Sequence, residues 1–166
     1  KDFSFLLGMR VEDTEIIIKQ LTTEERNDQN YTKFFPTLNF SYKINDSKSI
    51  ILGFSRRISR PRARLLNPFL SRSGITNFFQ GNPNLTPSYS NTVDLGFLRK
   101  WDKLTLNSSI YFQKSTDVVT VFPFDTGQRV SIKSDDDPSQ NIVRLVPIII
   151  KSPINLKENN RIGGEL

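Results

Sequence analysis

Apolar and polar residues alternate along much of this chain with a period of two. From Phe3 the odd positions read Phe3, Phe5, Leu7, Met9 and Val11, while the even ones read Ser4, Leu6, Gly8, Arg10, Glu12 and Thr14, Leu6 being the exception. A second run sets Phe34, Pro36, Leu38, Phe40, Tyr42 and Ile44 against Phe35, Thr37, Asn39, Ser41 and Lys43. Further on, Ile50, Leu52, Phe54 and Ile58 alternate with Gly53, Ser55, Arg57 and Ser59, and Val93, Leu95 and Phe97 alternate with Thr92, Asp94 and Gly96. Leu104, Leu106, Ile110 and Phe112 alternate in turn with Thr105, Asn107, Ser109, Tyr111 and Gln113. Successive side chains of a strand point to opposite faces, so each run predicts a strand with one apolar and one polar side. Residues 161–166 read as the beginning of one more strand. Apolar spacing of three and four is missing, and Pro and Gly interrupt the long intervals, so no helix is predicted.

The connections fall into two classes. Residues 45–48 and 100–103 are short turns of residues that tolerate tight backbone. Residues 19–30, about 60–90 and about 117–158 are polar or Pro-punctuated and read as loops. Long and short connections follow each other in turn, so an up-and-down antiparallel array carries its short turns at one end and its long loops at the other. Alternation alone also fits a soluble β-sandwich whose apolar face looks inward. Three features favour a wall between lipid and water instead. The polar faces are rich in Ser, Thr, Asn and Gly; the apolar faces carry large Phe and Leu, with Tyr42 and Trp101 beside the short turns, where an interfacial aromatic girdle belongs; and the ~30-residue loops are long for a compact soluble domain.

Composition narrows the chemistry. The 166 residues contain no His and no Cys, which removes an imidazole base, a thiolate nucleophile, haem and iron–sulfur ligation and the usual zinc sites. No enzyme, metal or cofactor is expected. At 36% hydrophobic the chain is poor in core-forming residues against a usual ~45–50%. Neither a signal peptide nor an apolar run long enough for a spanning helix is read in it, but a spanning strand needs only ~9–11 residues. The net charge of +6 permits an anionic partner without naming one.

The charge is concentrated in Arg56, Arg57, Arg60, Arg62, Arg64 and Arg72. These fit a nucleic-acid patch with Phe69, Phe78 and Phe79 for stacking, a solvated loop, or an outer-membrane feature. In the last case they meet lipid phosphates, line the lumen (Arg57, in step with Gly53 and Ser55) or contact an anionic ligand. Asp135, Asp136 and Asp137 are consecutive and so diverge, which reads as a solvated acidic loop and not a calcium site. Alternation separates Glu12 from Asp13 and Glu15, which read as strand-end residues and not an acid/base pair. The apolar run at residues 142–150 is either an extension strand or a packed loop, and Pro147 argues against a central strand.

At residues 52–96 a resemblance emerges. LGFSRRISRPRARLLNPF, an interval, and then Gly81-Asn82-Pro83-Asn84-Leu85-Thr86-Pro87 leading into the strand Val93-Asp94-Leu95-Gly96-Phe97 resemble the C-terminal barrel region of TonB-dependent outer-membrane receptors, in the branch of outer-membrane β-barrel family proteins. Residues 7–14 look like that family's Gly-x-Arg-x-Glu-x-Thr strand, and residues 161–166 like its Gly-x-Glu-Leu strand. Pro83 and Pro87 fix φ and remove N–H donors, Gly81 permits a turn, and Asn82 and Asn84 can bond nearby backbone, so the block reads as structural.

The resemblance implies an all-β fold of antiparallel up-and-down strands forming part of a transmembrane β-barrel. Residues 1–166 would supply about six strands of a larger barrel that this chain does not close alone, with no plug, signal peptide or second domain. It implies a receptor in the outer membrane of a Gram-negative bacterium that takes up an unidentified nutrient ligand. The partners implied are outer-membrane lipid and the TonB complex, the latter through a plug region not found here, with no nucleic acid. The structural family motif is Gly81, Asn82, Pro83, Leu85 and Pro87, and lumen or loop ligand contacts are expected at Arg57, Arg60, Arg62 and Arg64. The competing reading is a soluble, basic β-sandwich module for nucleic acid or an anionic glycan. Ligand identity and the parent's total strand number are not legible in the chain.

Overall fold

A computed structural model describes residues 2–19, 21, 24, 26–72, 74–133 and 143–166. Six long strands carry most of the chain: β1 (Asp2–Lys19), β2 (Arg26–Asn45), β3 (Lys48–Ser59), β6 (Ser88–Lys100), β7 (Thr105–Lys133) and β8 (Val143–Glu165). Two short strands, β4 (Leu70–Arg72) and β5 (Asn77–Gln80), and one helical turn, α1 (Ala63–Leu66), lie between β3 and β6. The hydrogen-bonded order is β1-β2-β3-β6-β7-β8-β5-β4, antiparallel wherever the register is defined except for a parallel β5–β8 contact. The all-β, up-and-down expectation holds.

The chain divides into two compact units. The first comprises Lys1–Arg60, Pro87–Val118 and Leu156–Leu166, and the second Pro61–Thr86 and Val119–Asn155.

In the first unit the register turns sequence alternation into continuous rows. Phe5 faces Phe40, which faces Leu52, then Leu95, then Ile110. One step along, Leu7, Leu38, Phe54, Val93 and Phe112 form the next row, and at the short-turn end Phe3, Tyr42, Ile50 and Phe97 form another. Most of these side chains are exposed, Phe5 at 71%, Leu7 at 68%, Leu95 at 44% and Ile110 at 59%, and Leu38, Tyr42, Ile50, Phe54 and Phe97 are half-buried. Together they present on the order of 1,000 Å² of apolar surface, beyond the ~300–600 Å² of the largest patch on an ordinary soluble monomer. Transferring that area from water to hydrocarbon is worth roughly 25 kcal/mol. From Phe3 to Val11 the strand rises ~27 Å, or roughly 21 Å along the membrane normal at a ~40° tilt, which matches the ~25 Å apolar band of outer-membrane barrels.

The opposite face is mostly polar, with Leu6, Ile51, Phe35 and Tyr111 among the exceptions. Its rows run Ser4, Ser41, Ile51, Gly96, Ser109 and then Gly8, Thr37, Ser55, Thr92, Gln113. Among the described residues only Phe35 and Leu85 are fully buried hydrophobics, and the apolar face of the first unit is not sealed under a second sheet. The β-sandwich alternative therefore loses its physical basis.

Several boundaries differ from the sequence reading for one reason. Outside a bilayer both faces of a hairpin meet water, so alternation fades while backbone pairing continues. Thus β1 and β2 stay paired out to Lys19↔Arg26, leaving residues 20–25 as the connection where 19–30 were expected to be loop. Likewise β7 runs on to Lys133 and β8 starts at Val143, inside the interval read as loop from about 117. Residues 161–165 are the closing stretch of β8 and not the start of a new strand. Pro147 lies within β8, at a level before the β5 contact begins at Ile149, so its missing N–H forfeits at most one side of pairing. The Asp135–Asp137 run lies outside the described residues.

Candidate functional site

Two groups of side chains, one in each unit, carry the chemistry. In the first unit β2 and β3 stay in register only as far as Thr37↔Ser55, and basic and aromatic groups gather where they part. The Arg60 guanidinium donates to the Glu12 carboxylate, to Thr14 Oγ1 at 3.0 Å and to the Tyr31 hydroxyl at 3.2 Å. Arg10 Nε lies 3.1 Å from the same Glu12 carboxylate. The hydrogen bond from Arg60, and the charges of Arg10 and Arg60, hold the Glu12 carboxyl below its usual range against a weaker opposing effect of burial. Arg56 stacks over the Tyr89 ring at 5.5 Å and Lys33 approaches the same ring at 5.8 Å. Burial pushes the Tyr89 hydroxyl up, as does the neighbouring Tyr31.

Below this cluster a cleft of about 520 Å³ is lined by Arg10, Phe35, Thr37, Ser55, Arg56 and Arg57, among others. Arg10 covers the Phe35 ring at 5.1 Å, and Arg56 Nε is buried with no hydrogen-bond partner. The cleft is cationic and aromatic, the character that receives a planar or anionic group.

In the second unit the Gly-Asn-Pro block is a latch. Gly81 N–H donates to Asn67 O at 2.9 Å and Asn82 N–H to Leu65 O at 2.7 Å, while Asn82 Oδ1 accepts from Asn84 N at 2.9 Å. The Asn82 amide reaches Pro153 O at 3.3 Å, and the Asn155 side chain clasps the Thr86 backbone, its Oδ1 accepting from Thr86 N–H at 3.0 Å and its Nδ2 donating to Thr86 O at 2.9 Å. Leu85 is 1% exposed. A Cβ on Gly81 would stand 2.4 Å from Asn67 O, so this position admits only glycine. In the same unit Asp125 accepts two hydrogen bonds from Arg129 and one from Gly127 N, around a Gly127 φ of 77°.

The four arginines singled out by sequence divide between the units. Arg57 pairs in register with Ser90, in step with Ser55↔Thr92 and Gly53↔Asp94, and lines the cleft. Arg60 is spent on Glu12 and Tyr31. In the second unit Arg62 precedes α1 and its carbonyl accepts from Leu65 N, while Arg64 lies over the Phe79 ring at 5.1 Å. Sequence reasoning missed Tyr31 and Lys33, because the polar surroundings of Tyr31 read as the margin of a loop, and it named Arg56 only as one of the arginine cluster. Pro153 and Asn155, the latch's receivers, carry no signal in the sequence.

A family model described as outer membrane protein beta-barrel family matches residues 1–166. The chain belongs to the outer membrane protein beta-barrel family. That places it in the outer membrane of a Gram-negative bacterium. A search of curated proteins finds no match. Among solved structures the chain is similar to the siderophore receptor PirA of Pseudomonas aeruginosa, with a TM-score of 0.62 and 17% identity over 98% of this chain and 30% of that one. PirA of Acinetobacter baumannii gives 0.60 and 17%, over 98% and 22%. The hemophore receptor HasR of Serratia marcescens, in complex with its hemophore HasA and heme, gives 0.57 and 15%, over 98% and 27%. At such identities the likeness establishes the fold of this family member. The chain spans between about a fifth and a third of the receptors it matches.

Proposed function

We propose that this chain is the wall of a TonB-dependent importer, one barrel region throughout residues 1–166, completed in the parent protein by further strands and a plug. The observation that carries the reading is the set of uncovered apolar rows across five strands, backed by a polar face of Ser, Thr, Gly and Asn. Acyl chains meet the first side and a watery, plugged lumen the second. The short turns at residues 46–47 and 101–104 face the periplasm, and the long connections face outward.

The receptors of similar fold are described by their siderophore or heme cargo, so an iron-bearing nutrient ligand is the substrate class proposed. The barrel makes and breaks no bond. Arg57 and its cleft neighbours line the lumen, Arg62 and Arg64 serve the outward connections, and the Gly81–Pro87 block holds those connections to β8. Energy reaches the site through the TonB complex acting on the plug.

The test is uptake of radio-iron as ferric enterobactin and as heme by cells producing the full-length receptor, with and without a protonophore. Accumulation of one of them that collapses with the protonophore supports the reading. Equal, energy-independent accumulation of both, or none above receptor-free cells, contradicts it.

A further inference from the structure

At the short-turn end the apolar band of β3 and β6 stops at Ile50 and Phe97, while the neighbouring strand β7 carries Leu106 opposite Arg99. The next outward-facing position on β3 is Lys48 and on β6 is Arg99, and these two are direct register partners. Like charges opposite each other across antiparallel strands repel, with side chains starting only ~4.5–5.5 Å apart. Among the described residues neither has a carboxylate partner. The nearest acid of that turn, Asp46, is held by Lys43 at 3.0 Å. Arg99 places its guanidinium 4.3 Å over the Trp101 ring, and the Trp101 backbone N–H donates to Leu104 O at 2.7 Å. Lys100 N–H to Ser47 O at 2.7 Å ties the two turns together. Two cations are thus held side by side, flush with the edge of a lipid-facing surface and next to an interfacial indole.

We propose that Lys48, Arg99 and Trp101 form a binding site for the phosphate of an anionic phospholipid in the periplasmic leaflet. A phosphate oxygen pair suits the planar fork of Arg99, while the point charge of Lys48 takes a second oxygen. Arg99 reaches toward Trp101 on the turn side, at the headgroup level, while the acyl chains lie on Ile50 and Phe97. Net negative charge relieves the repulsion between the two cations, and a zwitterionic headgroup's own ammonium offsets that relief, which makes the site favour anionic over zwitterionic lipid. The inference rests on the short turns being periplasmic, a part of the barrel reading.

The experiment is native mass spectrometry of the full-length receptor in detergent, titrated with phosphatidylglycerol, phosphatidylcholine or inorganic phosphate. The wild type should retain phosphatidylglycerol preferentially, and the double variant Lys48→Gln/Arg99→Gln should bind it about thirtyfold more weakly, at about tenfold per 1.4 kcal/mol and ~1 kcal/mol per basic residue. The charge-conserving swap Lys48→Arg/Arg99→Lys should keep most of the affinity, and Lys103→Gln should leave it unchanged. Equal binding of the two lipids, an unaffected double variant, or an equal loss with Lys103→Gln would overturn the site while leaving the barrel reading intact. Displacement by inorganic phosphate at the lipid's own concentration would overturn the lipid as its occupant.

Discussion

Replacing Gly81 by Ala tests the latch at its tightest point. The added Cβ would lie 2.4 Å from Asn67 O, 2.7 Å from Leu65 O and 2.8 Å from Asn67 N, all backbone atoms. No side-chain rotation relieves such contacts, so the strand end must withdraw from the 65–67 segment. The two oxygens it collides with accept the Gly81 and Asn82 N–H groups, and withdrawal breaks both bonds. Two hydrogen bonds at ~1 kcal/mol each, with ~1–3 kcal/mol of overpacking, give a local cost of about 3–5 kcal/mol. Hydrogen exchange on the full-length receptor in detergent should then show residues 81–86 losing at least about a hundredfold in protection. Strands β1 and β2 should be unaffected, being in the other unit. Gly74→Ala, where nothing lies within 4 Å of the new Cβ, is the matched control and should change little. Wild-type protection at 81–86 in Gly81→Ala, or an equal loss across β1 and β2, would refute the reasoning.

Three further outcomes follow from the same geometry. Leu38→Arg, in the middle apolar row, should cost ~2–4 kcal/mol in folding titrations into vesicles, while Thr37→Arg on the other face should cost under ~1 kcal/mol. Because the Glu12 carboxyl titrates below its ordinary 4.5 when folded, the Arg60 tie is in force above that pH and is lost as pH falls through the lower folded value. Protection factors around residues 12–14 should therefore drop between pH 6 and pH 3, and Glu12→Gln should abolish that difference. Gly163→Val places a Cβ 2.6 Å from the Tyr111 ring, so it should lower the melting temperature, and adding Tyr111→Ala should recover part of the loss, measured as a double-mutant cycle.

The membrane-facing strands were legible because the medium itself writes the pattern. Phe3 to Val11 and Phe34 to Tyr42 touch lipid on one side only, and period-two alternation is the trace of that contrast. Where the contrast ends the signal ends, which is why the β1–β2 extension and the long halves of β7 and β8 read as loop although their backbone ladder continues. The two tiny strands and α1 were hidden for another reason: β5 is recruited by a parallel contact with β8, a long-range event without local periodicity. For the candidate site, the turn chemistry of the Gly81-Asn82-Pro83 block is readable in the sequence, as is the step of Arg57 with Ser55, which the register reproduces. The Arg60 tie to Glu12 is not, because it joins residues far apart in sequence across strands whose pairing has already parted. Register puts Arg56 and Tyr89 on one face of β3 and β6, diagonal to each other, which their separation in sequence conceals.

The central claim is that the Phe- and Leu-bearing side meets acyl chains and the Ser- and Gly-bearing side does not. Single cysteines placed in turn at residues 50–55 and 93–97 of the full-length receptor, on a cysteine-free background, can each carry a nitroxide in reconstituted bilayers. Collision with oxygen, which concentrates in hydrocarbon, should peak at 50, 52, 54, 93, 95 and 97, and collision with a water-soluble nickel chelate should be lowest at those same sites. Oxygen accessibility that is flat along these strands, or highest at 51, 53, 55, 94 and 96, would contradict the account.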